Sequence, residues 1–192
     1  MTFCIRRIHD CLRILLGSFV IYCSAIAQAQ SVADGVLVQP IQVAPHTYFV
    51  QGRPEMGSSA NQNFISNAGF VVTPGGVVVI DALGSPILAK KLIAEINKVS
   101  KQKIVAVIVS HYHADHVYGL QEFKKIGAKI YAQGEGRNYL SSETAKQRLI
   151  ASRADFAPWV NVNTRLISAD VWIDQQFKLK IGGVDFFISR EI

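Results

Sequence analysis

The run His111-Tyr112-His113-Ala114-Asp115-His116 puts three imidazoles and a carboxylate within six residues. Neutral imidazole and carboxylate are ligands that suit Zn²⁺ where no thiolate is available, although Mn²⁺, Fe²⁺ and Co²⁺ accept them too. In an extended segment, residues i and i+2 point the same way, so the spacing predicts that His111 and His113 reach one ion together. Asp115 and His116 come as the chain turns, where they can face a second ion and Asp115 can orient a bridging water. Two such ions lower the pKa of that water and polarise a carbonyl or phosphoryl oxygen, which is hydrolytic chemistry. A closed structural zinc site would want four protein ligands, and its usual Cys pairs are absent from this stretch. The expected cofactor is therefore Zn²⁺, and Asp115 is the expected catalytic group.

Such a cluster needs a rigid platform. Val77 to Ile80 and Ile104 to Val109 are continuous apolar, β-branched runs that read as strands buried on both faces, the first ending on Asp81. Between them Ser85 can cap a helix that starts at Pro86 and carries Leu88, Leu92, Ile96 and Val99 at helical spacing. Strand, helix, strand predicts a βαβ unit with a parallel sheet, hence an α/β class with mixed α+β character. The His cluster and Asp81 then fall beyond the carboxyl ends of the strands, where ligands collect in open α/β sheets.

Upstream, Leu37 to Val43 and Thr47 to Gln51 read as short strands, followed by a polar loop and a strand from Phe64 to Thr73 that turns through Pro74-Gly75-Gly76. His46, alone at a strand start, reads as a surface histidine. Downstream, a short helix over Gly119 to Ile126, a strand over Lys129 to Ala132, one longer helix over Asn138 to Phe156, and a hairpin of Gln176 to Ile181 and Val184 to Ser189 around Gly182-Gly183 are expected.

Residues 1–29 read as a removable leader rather than as part of the fold. Arg6, Arg7 and Arg13 are followed by an apolar run from Ile14 to Ile26 and a small-x-small site at Ala27-Gln28-Ala29. The run falls short of the roughly 20 residues needed to span a bilayer. Export to the periplasm or beyond, no membrane span after cleavage, and one domain over residues 30–192 are therefore expected. Cys4, Cys11 and Cys23 all lie in the leader. The formal charge of +6 becomes +4 without its charged residues, and no basic stripe interleaved with aromatics marks a nucleic-acid surface. A small-molecule substrate is the expected partner.

The motif, its position after a buried strand, Asp81 and the segment Asn67 to Gly76 together resemble the metallo-β-lactamase superfamily over about residues 36 to 188. More narrowly, Ser110 to Leu120, Tyr139-Leu140 and Pro158-Trp159-Val160-Asn161 resemble the quinoprotein relay system zinc metallohydrolases, exported proteins linked to periplasmic dehydrogenase systems. The resemblance implies a four-layer αββα sandwich, with His111 and His113 on a first zinc, Asp115 and His116 on a second, and Asp81 in support. Val117-Tyr118 stand where many members carry small residues, so Tyr118 narrows the entrance or packs against the sheet.

The family also supplies a third His, a bridging Asp and a last His from its second half, and no histidine follows His116 here. The resemblance thus implies half of a two-ion site on the N-terminal portion of the sandwich, that is, a C-terminally truncated form. The expected function is a metal-dependent hydrolase acting on an amide, ester or thioester, a β-lactam among them, with impaired activity. The alternative is a non-catalytic exported metal-binding or partner-binding protein.

Overall fold

The computed structural model describes residues 35–189, so the expected leader lies outside the described residues. Every element below lies in one compact unit that begins at Leu37. Seven strands form one sheet in sequence order: β1 (Pro40–Ala44), β2 (Thr47–Val50), β3 (Ala68–Thr73), β4 (Gly76–Ile80), β5 (Ile104–Val109), β6 (Lys129–Gln133) and β7 (Val171–Ile173). The first four make an antiparallel meander, and β4 to β7 are parallel. The change of direction follows from the connections. Two residues, Pro74 and Gly75, return β3 to β4, whereas β4 reaches β5 through the helix α1 (Pro86–Val99).

Register decides which side chains meet. Val78, Ala106, Ile108, Tyr131 and Ile173 share one face of the sheet, and the hairpin of β8 (Phe177–Ile181) and β9 (Val184–Ile188) lays Phe177, Leu179, Ile181, Phe186 and Ile188 on it. On the opposite face Val77, Val79, Val107 and Ile130 are fully buried. On that side α1 contributes Leu88, Leu92 and Ile96, and the short helix α3 (Leu120–Lys125), which packs on α1, contributes Leu120 and Phe123. Both faces of the central strands are therefore covered, as their uninterrupted apolar sequences require. The result is a mixed α/β topology with the layout of the N-terminal portion of an αββα sandwich. Among the described residues, no helix is long and apolar enough to cross a membrane.

Four local expectations change. Phe64–Asn67 is loop, and β3 begins only at Ala68. The single helix expected over Asn138 to Phe156 is two, α4 (Gly136–Ser141) and α5 (Glu143–Asp155), because Ser142 takes extended dihedrals and its hydroxyl accepts the Ala145 N–H as an N-cap. The edge strand β7 has no counterpart in the sequence reading, since three residues give too short a window for periodicity. Ser85 stands at the N-cap of α1, yet its side chain makes no capping bond and its buried hydroxyl has no partner among the described residues. The Gly182-Gly183 turn is as expected, with φ of 57° and 85°, the positive values a two-residue hairpin turn demands.

Candidate functional site

Strands β4 and β5 run parallel and in register, Ile80 beside Ile108, so Asp81 and Ser110 emerge together at the carboxyl edge. Asp81 takes a left-handed φ of 62°, a conformation that aspartate tolerates better than most residues. Its backbone N–H donates to the Ile108 carbonyl at 3.0 Å, which pins this turn to the end of β5. The carboxylate, 5% exposed, then accepts three hydrogen bonds: from Ser110 N–H at 2.8 Å, from Ser110 Oγ at 2.7 Å, and at 2.8 Å on the imidazole Nδ1 of His116. Backbone strain at a residue whose side chain is this fully engaged marks a place the fold has been organised to hold.

The motif itself begins two residues past the end of β5 and runs into the single turn α2 (Ala114–Val117). As the alternation predicts, His111 and His113 project outward with rings 4.5 Å apart, while Tyr112 turns inward against Trp172. The turn at Ala114 brings His116 back, its ring 4.1 Å from that of His111. Asp115 reaches His116 from the other side, Oδ2 to Nε2 at 3.3 Å. His111 Nδ1 lies 3.0 Å from Ser110 Oγ. The four motif residues and Asp81 thus form one cluster.

Charge orders this cluster. Burial opposes a proton on His116, but hydrogen bonds and attraction from Asp115 and Asp81 overcome it and push its pKa up to about 9. Burial likewise opposes charge on Asp115, and the bond to His116 prevails, holding the carboxyl below its ordinary value. His111 is pushed down by burial and by the neighbouring imidazoles. At neutral pH, then, His116 is an imidazolium clamped between two carboxylates.

This arrangement corrects the expected cofactor. Among the described residues, no group of three or more His, Cys, Asp or Glu side chains is placed to hold a metal ion, so the anticipated Zn²⁺ site is not formed. The reason lies in the donors. Both ring nitrogens of His116 face carboxylates, an imidazolium has no lone pair to give, and Asp115 is turned onto His116. His111 and His113 remain, two donors where a zinc site takes at least three.

Two features of the scaffold escaped the sequence reading. Gly119, two residues past the end of α2, sits so close to the loop after β4 that an added Cβ would lie 1.9 Å from the Ala82 carbonyl oxygen. With Ala82 N–H bonded to His116 O at 2.9 Å, this contact locks the Asp81 turn against the motif. Ser66, in the loop before β3, donates from its hydroxyl to the Asp115 carbonyl. Tyr118 resolves to packing: it is 1% exposed, and its hydroxyl donates to Ser152 Oγ at 3.1 Å in the core. His46 stands in the β1–β2 turn with φ of 61°, apart from the cluster.

Residues 62–180 match the sequence profile of the metallo-beta-lactamase superfamily. The chain belongs to this superfamily. A metallo-beta-lactamase type 2 of Elizabethkingia meningoseptica is 39% identical over 69 residues, which is 36% of this chain and 28% of that protein. Metallo-beta-lactamase IND-1 of Chryseobacterium indologenes is 30% identical over 120 residues, 62% of this chain and 48% of that one. Among solved structures, the sec-alkylsulfatase Pisa1 of a Pseudomonas species superposes with a TM-score of 0.57 at 20% identity, over 79% of this chain and 27% of its own, a likeness of fold. The chain spans less than half the length of each of these relatives.

Proposed function

We propose that this superfamily member is a hydrolase of small molecules whose reacting bond is an amide, ester or thioester, a β-lactam among them. One observation carries the reading: the His111, His113, Asp115, His116 and Asp81 cluster is assembled at the carboxyl edge of the parallel strands, and its His111 and His113 line, with Gln133, Glu135 and Tyr139, a cleft of about 440 Å³. That volume is within the range of small-molecule sites. Since the described side chains do not fit a metal ion, the roles assigned are those of the side chains themselves. Asp115, held ionised, orients and deprotonates an attacking water. The His116 imidazolium, held between Asp81 and Asp115, stabilises negative charge developing on the substrate oxygen through its field, and Asp115 passes the proton it took from water to the leaving group.

The metallo-beta-lactamase names of two relatives support an amide such as a β-lactam, and the N-terminal pattern at residues 6–29 supports export. The narrower quinoprotein relay placement rests on the resemblance of Ser110 to Leu120, Tyr139-Leu140 and Pro158 to Asn161. The test is hydrolysis of nitrocefin, a thioester and an aryl ester by the chain and by Asp115→Asn. Turnover that falls by 100-fold or more in the variant supports the assignment. Its kcat/KM should also require a deprotonated Asp115 and decline above about pH 9 as His116 loses its proton. Equal rates in both proteins refute Asp115 as the base. A second reading, a partner-binding module without catalysis, is favoured by Leu37, Ile41 and Val43, which lie exposed on and before the edge strand β1. Failure to turn over all three substrates would select it.

A further inference from the structure

The cleft at the histidines has a neighbour. A second cavity of about 360 Å³ lies between the carboxyl ends of β5, β6 and β7 and the strand β9, with Ile108, Val109, Ala132, Ile173 and Ile188 among its lining residues. Ser110 and Gln133 line both cavities and so form the partition between them. The partition is anchored: Gln133 Oε1 accepts the Glu135 N–H at 2.8 Å, and Ser110 is bonded twice to Asp81. A protein interior normally leaves few voids larger than a water molecule, whose share of liquid volume is roughly 30 Å³. A cleft an order of magnitude larger, mainly apolar but polar at Ser110, Gln133, Gln175 and Ser189, is space the fold leaves for a largely apolar group.

We propose that this chamber is a subsite for the linear acyl or alkyl chain of the substrate, whose reacting group lies across the Ser110–Gln133 partition beside His111 and His113. The assignment rests on the hydrolase reading for its orientation and narrows the substrate class to compounds with an unbranched apolar tail. The geometry explains the placement. Register puts Ile108 and Ile173 on the face that receives the hairpin, and the chamber continues that face to the edge where the cluster sits. A tail entering past Gln133 would replace water against Ile108, Ile173 and Ile188, with affinity rising as methylenes are added.

The test reads binding, so that it stands apart from turnover. Isothermal titration of the full chain with acetate, butyrate, hexanoate and octanoate should show affinity rising about threefold to fourfold per added methylene as each is buried. Ile188 is partly exposed on the hairpin, so replacing it should spare the fold, checked by near-ultraviolet circular dichroism. Ile188→Trp, which fills the chamber, should flatten the series, and Ile188→Ala should lower the octanoate affinity several-fold while keeping a gradient. The proposal is overturned if octanoate binds no more tightly than butyrate, or if Ile188→Trp keeps the full gradient. An intact gradient in a chain that hydrolyses none of the three test substrates supports the subsite and sinks the hydrolase reading, so the two failures are told apart.

Discussion

Replacing Asp81 with Asn tests the ion-pair core of the site with little change in shape. Asparagine tolerates the left-handed φ of 62°, so the backbone conformation should survive and the loss be confined to charge. In the native protein, His116 titrates near 9 instead of its ordinary 6.5. A folded-state value raised above the unfolded one means that the charged pairs stabilise the protein fully below about pH 6.5 and cease to do so as pH rises through about 9. The difference of some 2.5 units corresponds to about 3 kcal/mol, since each unit is worth 1.36 kcal/mol. His116 is only 16% exposed, so solvent screening removes little of this. Asp81 and Asp115 share the effect, so Asp81→Asn should lower the His116 pKa by a unit or more and remove roughly half of the pH-dependent stability.

At pH 6 the same substitution also weakens the bonds to Ser110 N–H and Oγ, for a total destabilisation of about 2–4 kcal/mol. Urea denaturation at pH 6 and pH 10, with unchanged m-values, measures both numbers, and NMR titration of the imidazole reports the pKa directly. A native His116 titrating near 6.5, or a variant whose stability difference between pH 6 and pH 10 equals that of the native protein, would refute the account of a clamped imidazolium.

Two other substitutions probe the scaffold. Gly119→Ala should cost about 3 kcal/mol or more in thermal denaturation, because its Cβ meets the Ala82 carbonyl at 1.9 Å and backbone cannot give way cheaply; a melting temperature within a degree of native would contradict that contact. Tyr118→Phe should destabilise by about 1–2 kcal/mol while leaving any hydrolysis unchanged, since it strands the fully buried Ser152 hydroxyl in the core; a change in substrate affinity would instead place Tyr118 at the entrance.

The sequence by itself determined the order of the central elements and the residues of the cluster. Val77 to Ile80 and Ile104 to Val109 are apolar at every position, and only a strand covered on both faces uses such a run; alternation after β5 was enough to send His111 and His113 one way and Tyr112 the other. These are local periodicities, and local chain geometry carries them. What β7 pairs with and why Gly119 is a glycine depend on partners far along the chain, and no window of sequence contains them, whereas the break of the Asn138 to Phe156 helix is written locally, in the Ser142 hydroxyl that accepts the Ala145 N–H. The same holds for the metal. Residue types alone made His111, His113, Asp115 and His116 a ligand set, whereas the fold brings Asp81 within 2.8 Å of His116 from 35 residues away and turns one of those donors into a cation. Ligating a metal takes a free lone pair, and which lone pairs are free is settled by tertiary contacts.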